Sequence, residues 1–449
     1  MTWRTGVLLA VGTALLVCVS LGPMAEEIGN ASIIVWLVTA LVGGIQCVLL
    51  GHLAVRMPNR SGGAATYTHA VIGDRIPILG ALSSWGYWFA WTPGIAVNLI
   101  LAAEYLKATV LQSVPVIPLV VGIAAILYIV NALGLRISAR CAAAVAVVAV
   151  APLLIMTAGL LFNSHLLDFG KLLPLGVPEE SWAGAGTWIL LAKWAFVAAW
   201  SAYGAEMAFS IVAEMRKPQE HNQRMVVIAG LTCFVAFGFI PILLTALVGS
   251  RGLAADPSVV FLQAAELVFG GAGATMVGLM LAAGLILGAQ AFVVGSSRII
   301  FQMTVDGYLP ARLSWTNRRG VPVGSLLWDI PIVLGLVLVF GTNVVDVVAS
   351  ANFGYIIVFI LMPIAYIVFR RREHAEGRRL SAPRTFNAIA VALLLFNTVL
   401  LIVGGMQWGL KTISVAAVIM ALVIPMAFFQ RRQRRRGPEV RTDEEKALV

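Results

Sequence analysis

The stretch from Thr187 to Pro218 holds the residues of this sequence that are best placed to do chemistry in an apolar environment. It is long enough to cross a bilayer, which takes about 20 residues, yet it contains the carboxylate of Glu206. A charged side chain at that depth costs at least about 2.5–3.5 kcal/mol and is a functional-site hypothesis by default. We therefore expect Glu206 to act in coupling or conformational switching; the alternative is that it holds the local fold through hydrogen bonds.

A small, partly polar interruption, Ser201-Ala202-Tyr203-Gly204, comes just before Glu206. Backbone that lacks hydrogen bonds survives at membrane depth only where it lines a cavity or binds something. A second interruption, Gly12-Thr13-Ala14, lies in the middle of the first apolar segment. Paired interruptions of this kind indicate a binding site shared by two inverted halves of a chain. The alternative for Gly12 and Thr13 is close packing of helices.

The elements that position these residues follow from composition. The chain has 449 residues, of which 60% are hydrophobic and 12% charged, whereas a soluble domain has about a quarter of its residues charged. The sequence predicts an all-α polytopic membrane protein with about twelve spans, numbered here in chain order. Their expected bounds are roughly 5–25, 32–54, 78–106, 115–134, 138–162, 187–214, 225–249, 274–300, 323–341, 344–369, 386–405 and 411–430.

The distribution of basic residues predicts the orientation. Of the 31 Lys and Arg residues, 26 fall in one set of alternating connections and in the two terminal segments. This is the positive-inside bias, and it places both termini in the cytoplasm of a multi-pass cell-membrane protein. The basic tail, 431–449, is expected to hold the anionic lipid surface, and nucleic-acid binding is not predicted.

Several function classes are disfavoured. The four cysteines have neither disulfide nor metal spacing, and no metal or other cofactor is predicted. Glu206 has no catalytic partner at the same depth, which argues against an enzyme, and the spans are too apolar for a channel. No nucleotide-binding loop is present. Any transport is therefore expected to be driven by gradients of substrate or ions.

Three motifs resemble the amino acid–polyamine–organocation (APC) transporter superfamily, in particular its bacterial amino-acid permeases and antiporters. The first covers Trp200 to Glu206 with the exit Ala213-Glu214-Met215-Arg216-Lys217-Pro218. The second is the loop from Asp306-Gly307-Tyr308-Leu309-Pro310 to Asn317-Arg318-Arg319-Gly320-Val321-Pro322, and the third is Pro58, Ser61-Gly62-Gly63 and Tyr67. With the twelve-span pattern, the resemblance extends over essentially the whole chain.

The resemblance implies two inverted repeats of five spans each (a LeuT-like fold), residues 1–162 and 187–369, followed by two peripheral spans at 386–430. It places a substrate at mid-membrane depth between the broken spans 1 and 6. The residues that it implies at this site are Gly12, Thr13, Ala14, Trp200, Ser201, Tyr203, Gly204 and Phe292, with Glu206 in coupling or gating. Amides at Thr13-Ala14 are expected to meet a substrate carboxylate, and carbonyls near Trp200 and Ser201 its ammonium group.

The resemblance also leaves alternatives open. It implies a secondary active transporter of amino acids or related small amines, working by uniport, exchange or proton symport. A substrate sensor on the same fold, or a polyamine or organocation exchanger, are the alternatives. Many proton-coupled members carry a lysine in span 5 where this chain has Ala149, so a lysine-based proton mechanism is not expected. We expect neutral or broad amino-acid specificity, and the sequence does not predict the oligomeric state.

Charged residues near the outer ends of spans 1 and 6 have their own expectations. Lys193 is expected to extend toward the membrane interface, with a role in a substrate vestibule as the alternative. Glu26 and Glu27 are expected in a solvated loop, with attraction of cations as the alternative.

Overall fold

The computed structural model of the protein describes residues 13–57, 63–73, 75–134, 139–214, 218–375 and 385–434; within these, the side chains at 13, 139–149, 210–222, 233 and 430–434 are not described. The part of the chain that the structure describes is almost entirely helical and contains no strand, which confirms the predicted all-α class. Gly12 and the tail from residue 435 lie outside the described residues.

Each of the twelve predicted spans coincides with helical structure. The elements, from span 1 to span 12, are Thr13–Val19 with Leu21–Ile28; Ser32–Arg56; Pro77–Thr109; Val116–Ala132; Ala139–Phe162; Ala185–Ala202 with Tyr203–Glu214; Pro218–Phe234, Val235–Phe239 and Ile240–Ala255; the later part of Val260–Val305; Val323–Phe340; Val344–Ala375; Thr385–Val399 with Leu400–Gly404; and Gly409–Arg434.

Among the described residues, eight helical stretches are long and apolar enough to cross a membrane. One of them, Ala14–Arg56, contains predicted span 2 and the later part of predicted span 1, while spans 4 and 5 are represented by shorter apolar helices and span 6 changes helix type along its length. The crossing number of twelve and the inverted repeats therefore stay predictions.

Between spans 2 and 3, at the end of the molecule that the predicted orientation assigns to the cytoplasm, the chain forms a short helix, Gly63–Thr68 (the inner helix), which continues as a π-helix, His69–Gly73. The connection between predicted spans 7 and 8, residues 250–273, is mostly helical. Gly249 and Gly270 adopt positive φ angles of 75° and 74°, which glycine tolerates because it has no Cβ. These two bends let short helical arms run beside spans 7 and 8 rather than continue them.

Span 3 is the central element of the molecule. Nearly all of its middle is buried, and it packs against spans 8 and 10. Glycines allow the approach to span 10, because a Cβ on Gly86 would lie 2.7 Å from the carbonyl oxygen of Gly354. From span 3, Tyr87 reaches the carboxyl group of Glu206 and Thr92 reaches that of Asp329. Trp91 lines the cavity described next.

Candidate functional site

The 3₁₀-helical part of span 1 lies beside the interruption in span 6. Ser201 in span 6 donates a hydrogen bond of 3.1 Å from its hydroxyl to the carbonyl oxygen of Leu16 in span 1, and both side chains are buried. Span 6 is α-helical to Ala202 and continues as a 3₁₀-helix, Tyr203–Glu214. Span 1 begins, within the described residues, with the 3₁₀-helix Thr13–Val19.

A change of helix type therefore takes the place of the unwound backbone that the sequence suggested. Runs of 3₁₀-helix longer than three or four residues are uncommon, and inside a helix they often mark a hinge or strain. Here 3₁₀ segments of 7 and 12 residues occur in the two spans that meet at the site. Both spans thus depart from the regular α-helix near the point where Ser201 contacts Leu16.

A small cavity lies beside this contact, with a volume of about 20 Å³. That is room for about one water molecule, so an amino acid could enter only after the surrounding side chains move. The predicted site residues Trp200, Gly204, Glu206 and Phe292 line it. The other lining residues, which sequence analysis did not single out, are Leu16, Ala90, Trp91, Met207 and Tyr355.

Three aromatic rings form one side of the cavity. The rings of Trp200 and Phe292 are stacked, with their centroids 6.0 Å apart and their planes at 10°. Trp91 meets Phe292 edge-on at 5.7 Å, and the indole N–H of Trp200 donates to the carbonyl of Ala90 at 3.0 Å. This hydrogen bond leaves the ring faces of Trp200 for apolar contact, so the wall suits an apolar or aromatic group.

Glu206 is held by neutral partners on spans 3 and 10. The hydroxyl of Tyr87 donates to Glu206 Oε1 at 2.6 Å and that of Tyr355 donates to the same oxygen at 3.3 Å. Oε2 lies against the backbone of the inner helix, because a Cβ on Gly63 would be 2.9 Å from it. Only 1% of Glu206 is exposed. The carboxyl group thus connects span 6 to span 3, span 10 and the inner helix at one edge of the cavity.

Of the remaining predicted site residues, those with described side chains do not line the cavity. Tyr203 turns toward span 11, where its hydroxyl donates to Asn397 Oδ1 at 3.1 Å and its ring packs on Phe359. Ser201 faces Leu16 instead of the cavity. Ala14 is buried elsewhere in the core, and for Thr13 the backbone alone is described. Gly12 lies outside the described residues.

Lys193 and Glu27 form an ion pair at one end of the molecule. From the sequence, Lys193 was expected to extend toward the membrane interface and Glu27 to lie in a solvated loop. Lys193 Nζ of span 6 lies 2.6 Å from both carboxylate oxygens of Glu27, at the end of span 1. The indole of Trp194 donates to Glu27 Oε2 at 3.1 Å, and Lys193 Nζ also lies 4.9 Å from the ring centroid of Trp408. Lys193 therefore does not extend freely to the interface, since it closes a contact between spans 1 and 6.

A second ion pair joins Arg56, at the end of span 2, to Glu373 near the end of span 10. Span 2 has 25 residues and begins shortly after Glu27, so its rise of about 1.5 Å per residue separates the two ion pairs by roughly the thickness of a bilayer. The cavity lies between these ends. Next to Arg56, the ring of His52 stacks on Phe386 with centroids 4.4 Å apart.

A second buried carboxylate, Asp329 in span 9, was not singled out from the sequence. It is completely buried and accepts hydrogen bonds from Trp88, Thr92 and Ser296. The signal that could have found it is the one that identified Glu206, a carboxylate within an apolar helix.

Comparison with known proteins places this geometry in a family. A model of the amino acid permease family matches residues 1–429. An uncharacterized amino acid permease of Bacillus subtilis is 26% identical over 366 residues, covering 78% of this chain and 78% of the relative. The lysine-specific permease of Lactococcus lactis is 24% identical and covers 95% of this chain and 85% of the relative.

The aromatic amino acid transport protein of Salmonella typhimurium is also 24% identical, with 92% of this chain and 90% of the relative covered. The family match runs across both interrupted spans, Glu206 and Asp329, and it leaves out only the last residues. The chain belongs to the amino acid permease family.

Proposed function

We propose that this permease is a secondary transporter that moves neutral amino acids with apolar or aromatic side chains by alternating access. The observation that carries the proposal is the cavity between the interrupted spans 1 and 6, whose wall is made by Trp91, Trp200 and Phe292. Ligand sites of this kind are mostly apolar, with a few polar groups that fix orientation.

The charges around the cavity support a neutral substrate. Glu206 is the one acidic residue among the lining residues, and its Oε1 is already engaged by Tyr87 and Tyr355. A basic side chain would have to compete with these tyrosines for Oε1. The relative named as an aromatic amino acid transport protein agrees with the aromatic wall.

A basic amino acid is the second candidate, because Glu206 is an acidic group at the cavity edge and one relative is named as a lysine-specific permease. The two candidates differ in what the carboxyl group does. For a neutral substrate Glu206 holds spans 3, 6 and 10 together or couples their movement, whereas for a basic substrate it binds the cargo.

The substrate's own polar groups would meet the two interruptions. The bond from Ser201 to Leu16 O sets spans 1 and 6 side by side. Backbone amides at the start of span 1 suit a carboxylate, and carbonyls around Trp200 and Ser201 suit an ammonium group. The backbone of spans 1 and 6 would then bind the carboxylate and ammonium groups that all amino acids share, while the aromatic wall selects the side chain.

The conformation described here has no room for a bound amino acid in the cavity. The cavity is smaller than an amino acid, and an ion pair joins the spans at each end. Alternating access then requires the Glu27–Lys193 pair and the Arg56–Glu373 pair to separate in turn. By the predicted orientation, the first pair faces outside and the second faces the cytoplasm.

The test is counterflow in proteoliposomes. Vesicles are loaded with unlabelled phenylalanine, leucine, lysine or putrescine, and uptake of the labelled compound is followed against vesicles without protein. We expect saturable counterflow with phenylalanine and leucine and weaker counterflow with lysine. Preference for lysine would favour the second candidate, and no saturable uptake of any amino acid would overturn the proposed transport.

A further inference from the structure

Asp329 occupies a polar site in span 9 that the proposed substrate cavity does not use. It is completely buried. Trp88 Nε1 donates to its Oδ1 at 2.8 Å, Thr92 Oγ1 lies 3.4 Å from the same oxygen, and Ser296 Oγ lies 2.6 Å from Oδ2. Trp88 and Thr92 belong to span 3 and Ser296 to span 8. Three spans therefore meet at this carboxyl group.

The surroundings of Asp329 contain no cation among the described residues. Neither of the two ion pairs of the described chain involves it, and Arg298, a basic residue of span 8, is exposed. The titratable group that faces it is Tyr128 of span 4, whose buried hydroxyl has no hydrogen-bond partner in the described part of the chain. Since no partner of opposite charge is present, the shell does not fix the carboxyl group in its ionised state.

The two hydroxyl groups of the shell each have a second acceptor within reach. Ser296 Oγ lies 3.3 Å from the carbonyl oxygen of Val293, and Thr92 Oγ1 lies 3.1 Å from that of Trp88. With Asp329 ionised, both hydroxyls can donate to the carboxylate. With Asp329 protonated at Oδ2, that proton is donated to Ser296 Oγ, while Ser296 and Thr92 turn to the two backbone carbonyls.

Both charge states of Asp329 are thus fully hydrogen-bonded without movement of any heavy atom. A purely structural hydrogen-bond acceptor does not need this reversible arrangement. Leaving a buried donor or acceptor without a partner is costly, and here neither state does so.

The shell is also connected to the proposed substrate cavity. Span 3 carries Trp88 and Thr92 toward Asp329, and their immediate neighbours Tyr87 and Trp91 contact Glu206 and Phe292 respectively. Ser296 lies one helical turn after Phe292 on span 8. A change in the charge of Asp329 would therefore act on spans 3 and 8, two of the three helices that build the aromatic wall.

We propose that Asp329 is a proton-binding site, separate from Glu206, that takes up and releases a proton as spans 3, 8 and 9 rearrange during transport. The proton comes from water and returns to water, so the O–H bond at Asp329 is the one bond that forms and breaks. This proposal rests on the proposed transport function for its role in the cycle, but the proton binding itself can be measured without transport.

Infrared difference spectroscopy of the purified protein tests the site directly, through the C=O stretch of a protonated carboxyl group. We expect a buried carboxyl band that changes reversibly as pH is varied within the range where the protein stays folded, and that is absent from Asp329→Asn. Asp306→Asn, which removes an exposed carboxyl group in the loop after span 8, should leave the band in place. A band unchanged in Asp329→Asn, or one that does not respond to pH, would overturn the proposal.

Two variants that keep Asp329 give a finer test and cover the case in which Asp329→Asn does not fold. Ser296→Ala removes the hydroxyl at 2.6 Å and Thr92→Val removes the one at 3.4 Å. We expect Ser296→Ala to shift the midpoint of the infrared titration more than Thr92→Val does. Equal or absent shifts would contradict the hydroxyl-exchange arrangement.

The role in the cycle is tested by adding transported amino acid at constant pH. We expect the Asp329 band to change with substrate in the wild type, and the pH dependence of counterflow to be altered in Asp329→Asn. An Asp329 band that responds to pH but does not change when substrate is added would contradict the role in transport. Absence of transport with an intact titrating band would overturn the proposed function and leave the proton site standing.

Discussion

At the scale of single residues, the side chains that matter are those for which the structure supplies a partner on another span. Trp200, Phe292 and Glu206 face one cavity, whereas Tyr203, which lies between Trp200 and Glu206 in the sequence, turns to Asn397. A 3.6-residue period places neighbours about 100° apart around a helix, so adjacent residues of one motif need not share a site. Two residue-scale predictions follow from these contacts.

Gly94→Ala should narrow the cavity. A Cβ at this position would lie 2.8 Å from the ring of Phe292, so the ring must shift within a wall that stacks on Trp200. We expect the apparent affinity for phenylalanine in counterflow to fall about tenfold relative to the apparent affinity for alanine as a substrate. This corresponds to about 1.4 kcal/mol of overpacking.

Gly122→Ala is the matched control for this change, because nothing lies within 4 Å of a Cβ there. Both substitutions sit inside helices, where alanine is favoured over glycine by about 1 kcal/mol. If the two variants change the ratio of the apparent affinities for phenylalanine and alanine equally, Phe292 does not help the aromatic wall to select the substrate side chain.

Glu206→Gln should alter the pH dependence of transport while keeping the shape of the side chain. The amide oxygen can still accept from Tyr87, but the group can no longer exchange a proton. Counterflow measured across a pH series checks this, with Tyr203→Phe as the control because it removes a hydroxyl bonded to Asn397 outside the cavity. An unchanged pH profile in Glu206→Gln would leave the residue with a structural role in joining spans 3, 6 and 10.

At the scale of elements, the site depends on helices that change type and on glycines that let them touch. Spans 1 and 6 are partly 3₁₀, and span 2 closes against span 6 at Gly43, where a Cβ would lie 2.5 Å from the carbonyl oxygen of Ala202. Ala202 is the last residue of the α-helical part of span 6. Span 2 thus supports the point at which the helix type changes.

Gly43→Ala should therefore push spans 2 and 6 apart. The added Cβ would lie against backbone, which cannot rotate away as a side chain can. We therefore expect a loss of about 1–3 kcal/mol in the free energy of unfolding. Thermal unfolding of the purified protein in detergent checks this. Gly44→Ala is the matched control on the same helix, since its nearest neighbour would be 3.8 Å away; similar unfolding temperatures for the two variants would show that the contact is not needed.

At the scale of the whole molecule, a small cavity lies between two ion pairs at opposite ends. Lys193 and Glu27 are 18% and 36% exposed, so their pair is partly screened by solvent. Partly exposed pairs contribute at most about 1 kcal/mol, which is enough to shift a two-state equilibrium roughly fivefold. Pairs of this strength suit contacts that must open and close in every transport cycle.

Glu27→Gln should favour opening at the end that holds Lys193. The readout is the labelling rate of a cysteine introduced in place of Met207, a cavity residue, by a membrane-impermeant thiol reagent. The four native cysteines are first replaced. We expect labelling from the side of Lys193 to rise a fewfold, while Glu26→Gln, which removes a neighbouring carboxylate that forms no ion pair in the described residues, leaves it unchanged. Equal rates in both variants would argue against a closing role for the pair.

Features that depend on local composition can be predicted from the amino-acid sequence. Twenty or so apolar residues cross a membrane whatever lies beside them, so the helical class and the positions of the spans could be predicted, as could the interruption before Glu206. The family resemblance rested on motifs such as Trp200 to Glu206, which are contiguous in the chain.

Contacts between distant residues were decided by the tertiary structure alone. Lys193 and Glu27 are 166 positions apart and Asp329 draws its partners from residues 33 to 241 positions away. Whether Tyr203 or Trp91 faces the cavity depends on how each helix is rotated against its neighbours. Spans that are apolar on all sides carry little signal for that rotation; it is set by side-chain packing and by the hydrogen bonds that buried polar groups must find.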